Sequence, residues 1–261
     1  MSGKRKVRAR VLHQKMIAPD IYDMWLSTDL AKTAGAGQFI GVYPKDKAHL
    51  LPRPISICEV DREKNALRIV YRIAGAGTAE FATWETGQEA ELLGVLGNGF
   101  PVDQGQKKKV ALMGGGIGIP PMLQLAKQLK AADSEVAIVL GYRDGQLFLK
   151  EDLEKHGTVY IATEDGSAGI RGNVLNVMNE EQIKADVIMA CGPMPMLRAI
   201  KSYAEDEQIE AYISLEERMA CGVGACLGCV CKTTHKDAHS HVNNARICTD
   251  GPVFDVREVE I

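Results

Sequence analysis

The sequence predicts a multi-domain chain: an all-β unit of barrel or sandwich type, a central parallel α/β sheet, and a small cysteine-rich tail. Three observations predict it. Short β-branched segments separated by Gly, Pro and Asp turns fill the N-terminal part of the chain. From Val110 the grammar changes to strands alternating with helical segments, which indicates a parallel sheet. Beyond residue 216 the chain carries Cys221, Cys226, Cys229, Cys231 and Cys248. The expected boundaries are 1–101, 102–215 and 216–261.

In the first unit, strands are expected over Lys6–Leu12, Gln38–Tyr43, Ile55–Val60, Ala66–Ile73 and Glu89–Leu96. The basic opening alternates Lys6, Arg8 and Arg10 with Val7, Ala9 and Val11, so it reads as a half-exposed strand rather than a targeting tail. Leu96-Gly-Asn-Gly-Phe-Pro101 marks a boundary. The second unit should have strands over Val110–Met113, Glu135–Leu140, Thr158–Ala162 and Asp186–Ala190. Its helices should cover Met122–Lys130, Leu175–Glu180 and Pro195–Glu205.

Composition narrows the function. A net charge of −3 gives no electrostatic case for nucleic acid. No stretch approaches the roughly 18 apolar residues that a membrane span requires. Seven cysteines, an odd count without an apolar leader, argue against a disulfide framework and for a reducing cytoplasm.

The tail carries the sharpest chemistry. Cys221-Gly-Val-Gly-Ala-Cys226-Leu-Gly-Cys229, followed by Cys248, is C-x4-C-x2-C…C, the spacing by which plant-type ferredoxins hold a [2Fe–2S] cluster. Gly222, Gly224 and Gly228 permit the tight turns that wrap three thiolates around one cluster. Zinc is the rival, because His235, His239 and His241 fall in the same window, but zinc sites favour paired C-x2-4-C knuckles. Cys231 is the spare thiol: a ligand swap is open to it, and a buried free thiol beside the cluster is the plainer reading. Cys58 and Cys191 stand apart.

In the central unit, Gly114, Gly115, Gly116 and Gly118 link the first strand to the first helix, where a pyrophosphate can approach the backbone. The match to G-x-G-x-x-G is imperfect, since Ile119 holds the third place, and a tight structural turn is the competing explanation. Cys191, Gly192 and Pro193 follow a later strand at the end where open α/β sheets bind ligands. Met196 nearby reads as core. A nicotinamide dinucleotide exchanges two electrons and a [2Fe–2S] cluster one, so a flavin is expected between them. Its candidate residues are Arg53, Pro54, Ile55 and Ser56, with Gly75-Ala-Gly77-Thr78 as a source of backbone donors for the phosphates. Arg143 could meet a 2′-phosphate and Asp144 would repel one, leaving NAD and NADP both open.

With those blocks in order, the chain resembles the electron-transfer subunits of type B dihydroorotate dehydrogenases, members of the ferredoxin–NADP reductase superfamily with an added [2Fe–2S] domain. The resemblance rests on Met219–Cys229 with Cys248-Thr-Asp-Gly-Pro-Val-Phe254, and on Leu51–Ser56, Val70–Arg72, Gly77-Thr78, Leu96–Phe100 and Thr163–Ser167. It implies an N-terminal antiparallel β-barrel that binds FAD across Arg53–Ser56, Val70, Tyr71, Arg72, Gly77 and Thr78. Arg53 would bind phosphate, Ser56 would approach the flavin edge, and Tyr71 would lie near the isoalloxazine or ribityl chain. It further implies cluster ligation by Cys221, Cys226, Cys229 and Cys248, with Cys231 outside. One departure is Ile55, where plant-type reductases carry an aromatic.

The implied role is relay of electrons from the FMN of a separate dihydroorotate dehydrogenase catalytic subunit, through the cluster and FAD, to NAD+. Two copies of each subunit would form a heterotetramer, and this chain alone would not oxidise dihydroorotate. The rivals are a related subunit of a ferredoxin–NADP or sulfide dehydrogenase type of oxidoreductase, and a zinc-stabilised module without redox function. The stretch between Cys229 and Cys248 is expected to be an exposed excursion. Leu227, flanked by proposed ligands, is expected at a partner contact, with cover for the cluster against the chain's own flavin domain as the alternative.

Overall fold

In the computed structural model, which describes residues 4–236 and 241–261, the chain builds three sheets. The first is a closed antiparallel barrel. Its strands are β1 (Arg5–Ala18), β2 (Ile21–Ser27), β3 (Phe39–Tyr43), β4 (Arg53–Asp61), β5 (Ala66–Arg72) and, after the short helix α1 (Ala76–Phe81), β6 (Glu89–Leu96). They close in the order β1-β2-β5-β4-β3-β6. Val11, Met24, Leu26, Ile40, Ile57, Ile69 and Leu92 fill the interior.

Strand β2 was not foreseen, and β1 runs beyond the expected Leu12. Asp23 interrupts the apolar pattern of β2, yet it is buried. Arg68 on β5 makes that possible by donating Nε and Nη2 to its two carboxylate oxygens, both at 2.9 Å. A buried carboxylate is tolerated when such a fork satisfies it.

The second sheet follows α2 (Val102–Gly105). It comprises β7 (Lys109–Gly115), α3 (Pro120–Ala131), β8 (Glu135–Tyr142), α4 (Lys150–Glu154), β9 (Thr158–Thr163), β10 (Ile170–Arg171), α5 (Val174–Glu180), β11 (Val187–Cys191), α6 (Met194–Asp206) and β12 (Glu210–Ser214). Prolines open α3 and α6 within the first turn, where a missing N–H costs nothing. Asn173 caps α5 by accepting from Leu175 and Asn176 N–H. The strand order is β10-β9-β8-β7-β11-β12-β15, with β15 (Val253–Asp255) added antiparallel to β12. That edge strand comes from the tail, so the cysteine-rich segment contributes to the central sheet.

The third sheet is small: β13 (Val230–Thr233) pairs with β14 (Asn244–Arg246) and with β16 (Val259–Glu260). Among the described residues between Cys229 and Cys248, which are mostly exposed, β13 and β14 pair antiparallel. Ladder hydrogen bonds account for the order that their polar composition concealed. His239 lies outside the described residues.

Two shared cores join the parts. On one sheet face, Leu112, Ile138 and Leu140 pack under α3 with Ile21, Cys58 and Val70 from the outer wall of the barrel. On the other face, Met113, Ile188 and Ala190 pack with α5, α6, the tail residues Ile247, Cys248 and Phe254, and barrel residues Phe39 and Leu96. Polar ties reinforce the first seam. Gln124 on α3 accepts the backbone N–H of Val60 at 2.8 Å. Arg68 donates Nη1 to Asp152 on α4 at 2.9 Å. Among the described residues, no helix is long and apolar enough to cross a membrane.

The turn after β7 is packed to the limit. A Cβ at Gly118 would fall 2.3 Å from the Cys191 carbonyl oxygen and 2.6 Å from Gly192 N, both backbone atoms that cannot swing away. At Gly116, with φ of 53°, the nearest heavy atom to a Cβ would be Arg72 Nη2 at 4.0 Å. Gly118→Ala should therefore cost about 3 kcal/mol or more, and Gly116→Ala only about 1 kcal/mol of left-handed backbone strain. Urea midpoints at unchanged slope measure both, and equal costs would refute the distinction. A second expectation concerns acid. Burial raises the Asp152 carboxyl pKa, but hydrogen bonds from Lys155 and Arg68 more than offset this and hold it below 3.8. Its stabilising contribution is complete above the unfolded value and is lost as pH falls through the lowered folded value. The wild-type denaturation midpoint should thus fall more steeply than that of Asp152→Asn between roughly pH 5 and pH 3.

Candidate functional site

The glycine turn and the Cys191-Gly-Pro193 turn leave the carboxyl ends of neighbouring parallel strands. Strands β7 and β11 pair so that Gly114 stands opposite Cys191. In sheet order this is where helices switch faces, the place at which open α/β sheets bind ligands. A cleft of about 500 Å³ opens there, lined by Gly115, Gly116, Gly141, Tyr142, Pro193 and Met196 on one side. Asp20, Ile21 and Arg72 of the barrel form the other side. At the far end lie Arg143, Asp144 and Glu164, with Arg143 Nη2 3.6 Å from an Asp144 oxygen.

The glycines divide by role. Gly115 and Gly192 leave room for Met196, whose sulfur would sit 2.6 Å from a Cβ at Gly115. Met196 is thus packed as expected, although it also shows an edge to the cleft. Gly118 serves the close approach to Cys191, so the structural-turn reading holds for it. Gly116 alone combines a left-handed backbone with open space toward Arg72. The Cys191 thiol is buried, and burial pushes its pKa up to about 12, which keeps it protonated.

On the barrel, the Arg53 side chain lies against Gly77 of α1. A Cβ at Gly77 would lie 2.6 Å from Arg53 Nε, so glycine there leaves the guanidinium its place. Thr78 Oγ1 accepts from Ala74 and Gly75 N–H and fixes the turn beneath it. Pro54 and Ser56 share a strand face with Cys58, which packs toward α3, while Ile55 leans on the barrel interior. On β5, Val70 and Arg72 likewise face the nucleotide sheet.

Tyr71 faces the barrel interior. Alternation turns its side chain into the barrel, where the hydroxyl donates to Gln14 Oε1 at 2.7 Å and the ring stacks on Tyr22 with centroids 5.9 Å apart.

Cys221 and Cys226 are neighbours, as are Cys248 and Cys229, each pair close enough for one thiol to shift the ionisation of the other. The Cys221 sulfur accepts N–H groups from Val223 at 3.4 Å and Ala225 at 3.3 Å. Burial opposes ionisation of Cys221, but these donors and Cys226 prevail and lower its pKa to about 6, favouring the thiolate that binds iron. Burial pushes the Cys248 thiol up to about 11, with Cys229 adding to it. Among the described residues, no three His, Cys, Asp or Glu side chains come together as a group that could hold a metal ion. A [2Fe–2S] cluster needs four thiolates, two for each iron. Cys231 lies on β13, partly buried, and burial raises its pKa, with Cys229 adding to it.

Gly222 rests on Leu96 and Leu93 of the barrel, and Asn98 Nδ2 donates to Thr249 O and Asp250 O. The cysteine loop is therefore seated on the barrel edge. Leu227, with φ of 56°, is 62% exposed, and Val223 and Val230 beside it are also exposed. Leu227 thus does not cover the loop against the barrel. Sequence reasoning did not single out Glu216, whose charge is felt by Cys191 and opposed by Arg72. Glu216 is exposed as a residue, yet its carboxyl is desolvated enough to raise its pKa, with Arg72 opposing. Nothing local marked it, because its neighbours are distant in sequence.

Comparison with known proteins agrees with this layout. Residues 216–260 match the iron-sulfur cluster binding domain of dihydroorotate dehydrogenase B, and residues 112–202 match an oxidoreductase NAD-binding domain. The electron transfer subunit of dihydroorotate dehydrogenase B (NAD(+)) from Lysinibacillus sphaericus is 42% identical over 253 residues, 96% of each chain. That from Shouchella clausii is 41% identical over 98% of each chain. A solved NADH-dependent reduced ferredoxin-NADP oxidoreductase superposes with a TM-score of 0.87 at 26% identity, covering 100% of this chain and 91% of that one. A ferredoxin NADP+ reductase from Neisseria gonorrhoeae, 17% identical with a TM-score of 0.67 over 82% of this chain and 94% of that one, shares the fold. With such identity along nearly its whole length, the chain belongs to the family of electron transfer subunits of dihydroorotate dehydrogenase B.

Proposed function

We propose that this chain relays electrons from the FMN of a dihydroorotate dehydrogenase catalytic subunit, through a [2Fe–2S] cluster and FAD, to NAD+. The observation that carries the reading is the pairing of four thiols on a lobe seated against both the barrel and the nucleotide sheet. The units run over 1–101, 102–215 and 216–261, the partner assembly holds two copies of each subunit, and the complex works in the cytoplasm. Bound flavin supplies the exchange between hydride transfer and single-electron steps.

The residues divide the work. Arg53 neutralises the FAD pyrophosphate, and Gly77 keeps its guanidinium in place. Pro54, Ile55, Ser56 and the backbone of Val70–Arg72 line the flavin, with Ser56 at its edge. Gly114, Gly115, Gly116 and Gly118 with Cys191, Gly192 and Pro193 shape the NAD site, in which Gly116 faces the ligand and Gly118 holds the turn. Asp144 and Glu164 outnumber Arg143 at the far end of the cleft, so a 2′-phosphate is disfavoured there and NAD preferred over NADP. Cys221, Cys226, Cys229 and Cys248 would hold the cluster. Exposed Val223, Leu227 and Val230 form the face that meets the partner.

Three outcomes are expected. The purified chain should contain about two irons and two acid-labile sulfides, with a rhombic EPR signal on reduction. Cys226→Ser should lose them and Cys231→Ser should keep them; equal loss would mean a wrong ligand set. Removing a bidentate charge-assisted contact costs about 1.5–3 kcal/mol, so Arg53→Ala should weaken FAD retention roughly 10- to 100-fold with iron content intact. Unchanged flavin after desalting would remove Arg53 from the site. Finally, the chain alone should oxidise NADH with an artificial acceptor yet leave dihydroorotate untouched. Addition of the catalytic subunit should create NAD+-linked dihydroorotate oxidation, which Leu227→Asp should impair while sparing the NADH–acceptor rate. Dihydroorotate turnover by the isolated chain would overturn this division of labour.

A further inference from the structure

The outer face of β5 carries Arg68, Val70 and Arg72 at alternate positions. Arg72 lines the nucleotide cleft and Val70 enters the core shared with α3. Arg68, the third, ties the barrel to the nucleotide domain. Its Nε and Nη2 are held by Asp23 within the barrel. Its Nη1 reaches Asp152 on α4 at 2.9 Å and Glu59 on β4 at 3.3 Å. Glu59 in turn accepts Lys127 Nζ of α3 at 3.2 Å, and Val60 beside it donates to Gln124 of the same helix.

These ties join the strands that carry the proposed flavin segments, β4 and β5, to the helix that begins at the glycine turn. Neither Asp152 nor Glu59 lines the cleft. Their effect is on angle and distance between two binding surfaces. An apolar seam resists separation but is non-directional, so it does little against sliding or rotation. Charge-assisted hydrogen bonds to a planar guanidinium have fixed directions. Arg68 is well suited to set such a geometry, because the Asp23 fork immobilises it before it crosses the seam.

We propose that Arg68, Asp152 and Glu59 form a positioning brace that fixes the flavin-binding strands relative to the nicotinamide site, and so governs hydride transfer without touching either cofactor. The proposal rests on the function given above. Hydride transfer moves two electrons and one hydrogen between nicotinamide and flavin, and a misplacement of about 1 Å can cost on the order of 100-fold in such a step.

Asp152→Ala cuts the crossing arm and leaves Arg68 compensated by Asp23 and Glu59, and Asp152→Asn removes the charge with the shape kept. In anaerobic stopped-flow with NADH, both should lower the limiting rate of flavin reduction in the full chain by about 10-fold or more, with the half-saturating NADH concentration within about two-fold of wild type. Flavin and iron contents should not change, and Asp152→Glu should restore the rate. Hydrogen exchange without NADH should quicken at the Val60 amide and along α3 in Asp152→Ala. A limiting rate unchanged by either variant, a loss that follows flavin or iron content, or a rise in half-saturation alone would overturn the brace. If wild-type protein retained no flavin, the functional reading would fail instead, and unaltered exchange at the seam would still refute the brace.

Discussion

Strands β7 and β11 can lie side by side with their exits level only because the turn leaving one carries no side chain to strike the turn leaving the other. Gly118 lies against the carbonyl of Cys191, and any Cβ would collide with backbone there. Once that contact is made, α3 must depart over one sheet face and α6 over the opposite one. The crevice between those departures is then fixed before any ligand arrives. The barrel docks on the same side as α3, so its β4 and β5 strands stand beside the crevice. A steric constraint at one glycine thus sets the stage for cofactor chemistry, while the chemistry itself falls to residues with room around them, such as Gly116 and Arg72.

The same layout explains where burial and charge divide their labour. Apolar side chains from barrel, α3 and sheet form one continuous core, which supplies cohesion. The few charged groups at its rim have specific partners, as buried charges must. In the cysteine lobe the balance differs. Backbone N–H groups point at the Cys221 sulfur, and the burial of Cys229 and Cys248 places the other thiol pair in a drier setting. Local dielectric and hydrogen bonding to sulfur are two levers by which a protein adjusts the potential of a cluster.

Features set by neighbours in sequence were legible without coordinates. The cysteine spacing, the glycine turn after a buried strand and the alternation of strand and helix all express local geometry, and the turns that the glycines of the cysteine loop permit are present, with Gly222 and Gly224 both at positive φ. Features set by distant partners were not. Asp23 hid β2 because its counter-ion, Arg68, lies in another strand. The facing of Tyr71 depended on the register of β5, and a one-residue shift reverses which side a residue serves. Glu216 gained its surroundings only when β11, β12 and β5 came together. The hairpin after Cys229 was masked by polar composition, since backbone pairing rather than side-chain burial orders it.

Strand β15 gives the lobe an unusual topological status. Ser214, at the end of β12, stands directly across from Val253, the first residue of β15. The chain therefore leaves the sheet and returns to it at cross-strand neighbours, and after β15 it rejoins the lobe, where β16 pairs with β13. The segment between those strands can lengthen in evolution without moving its ends, while β16 keeps its hairpin tied to the residues beyond β15. A flavoprotein reductase core could enlarge its one-electron terminal in this way, keeping its sheet intact and changing only the company it keeps.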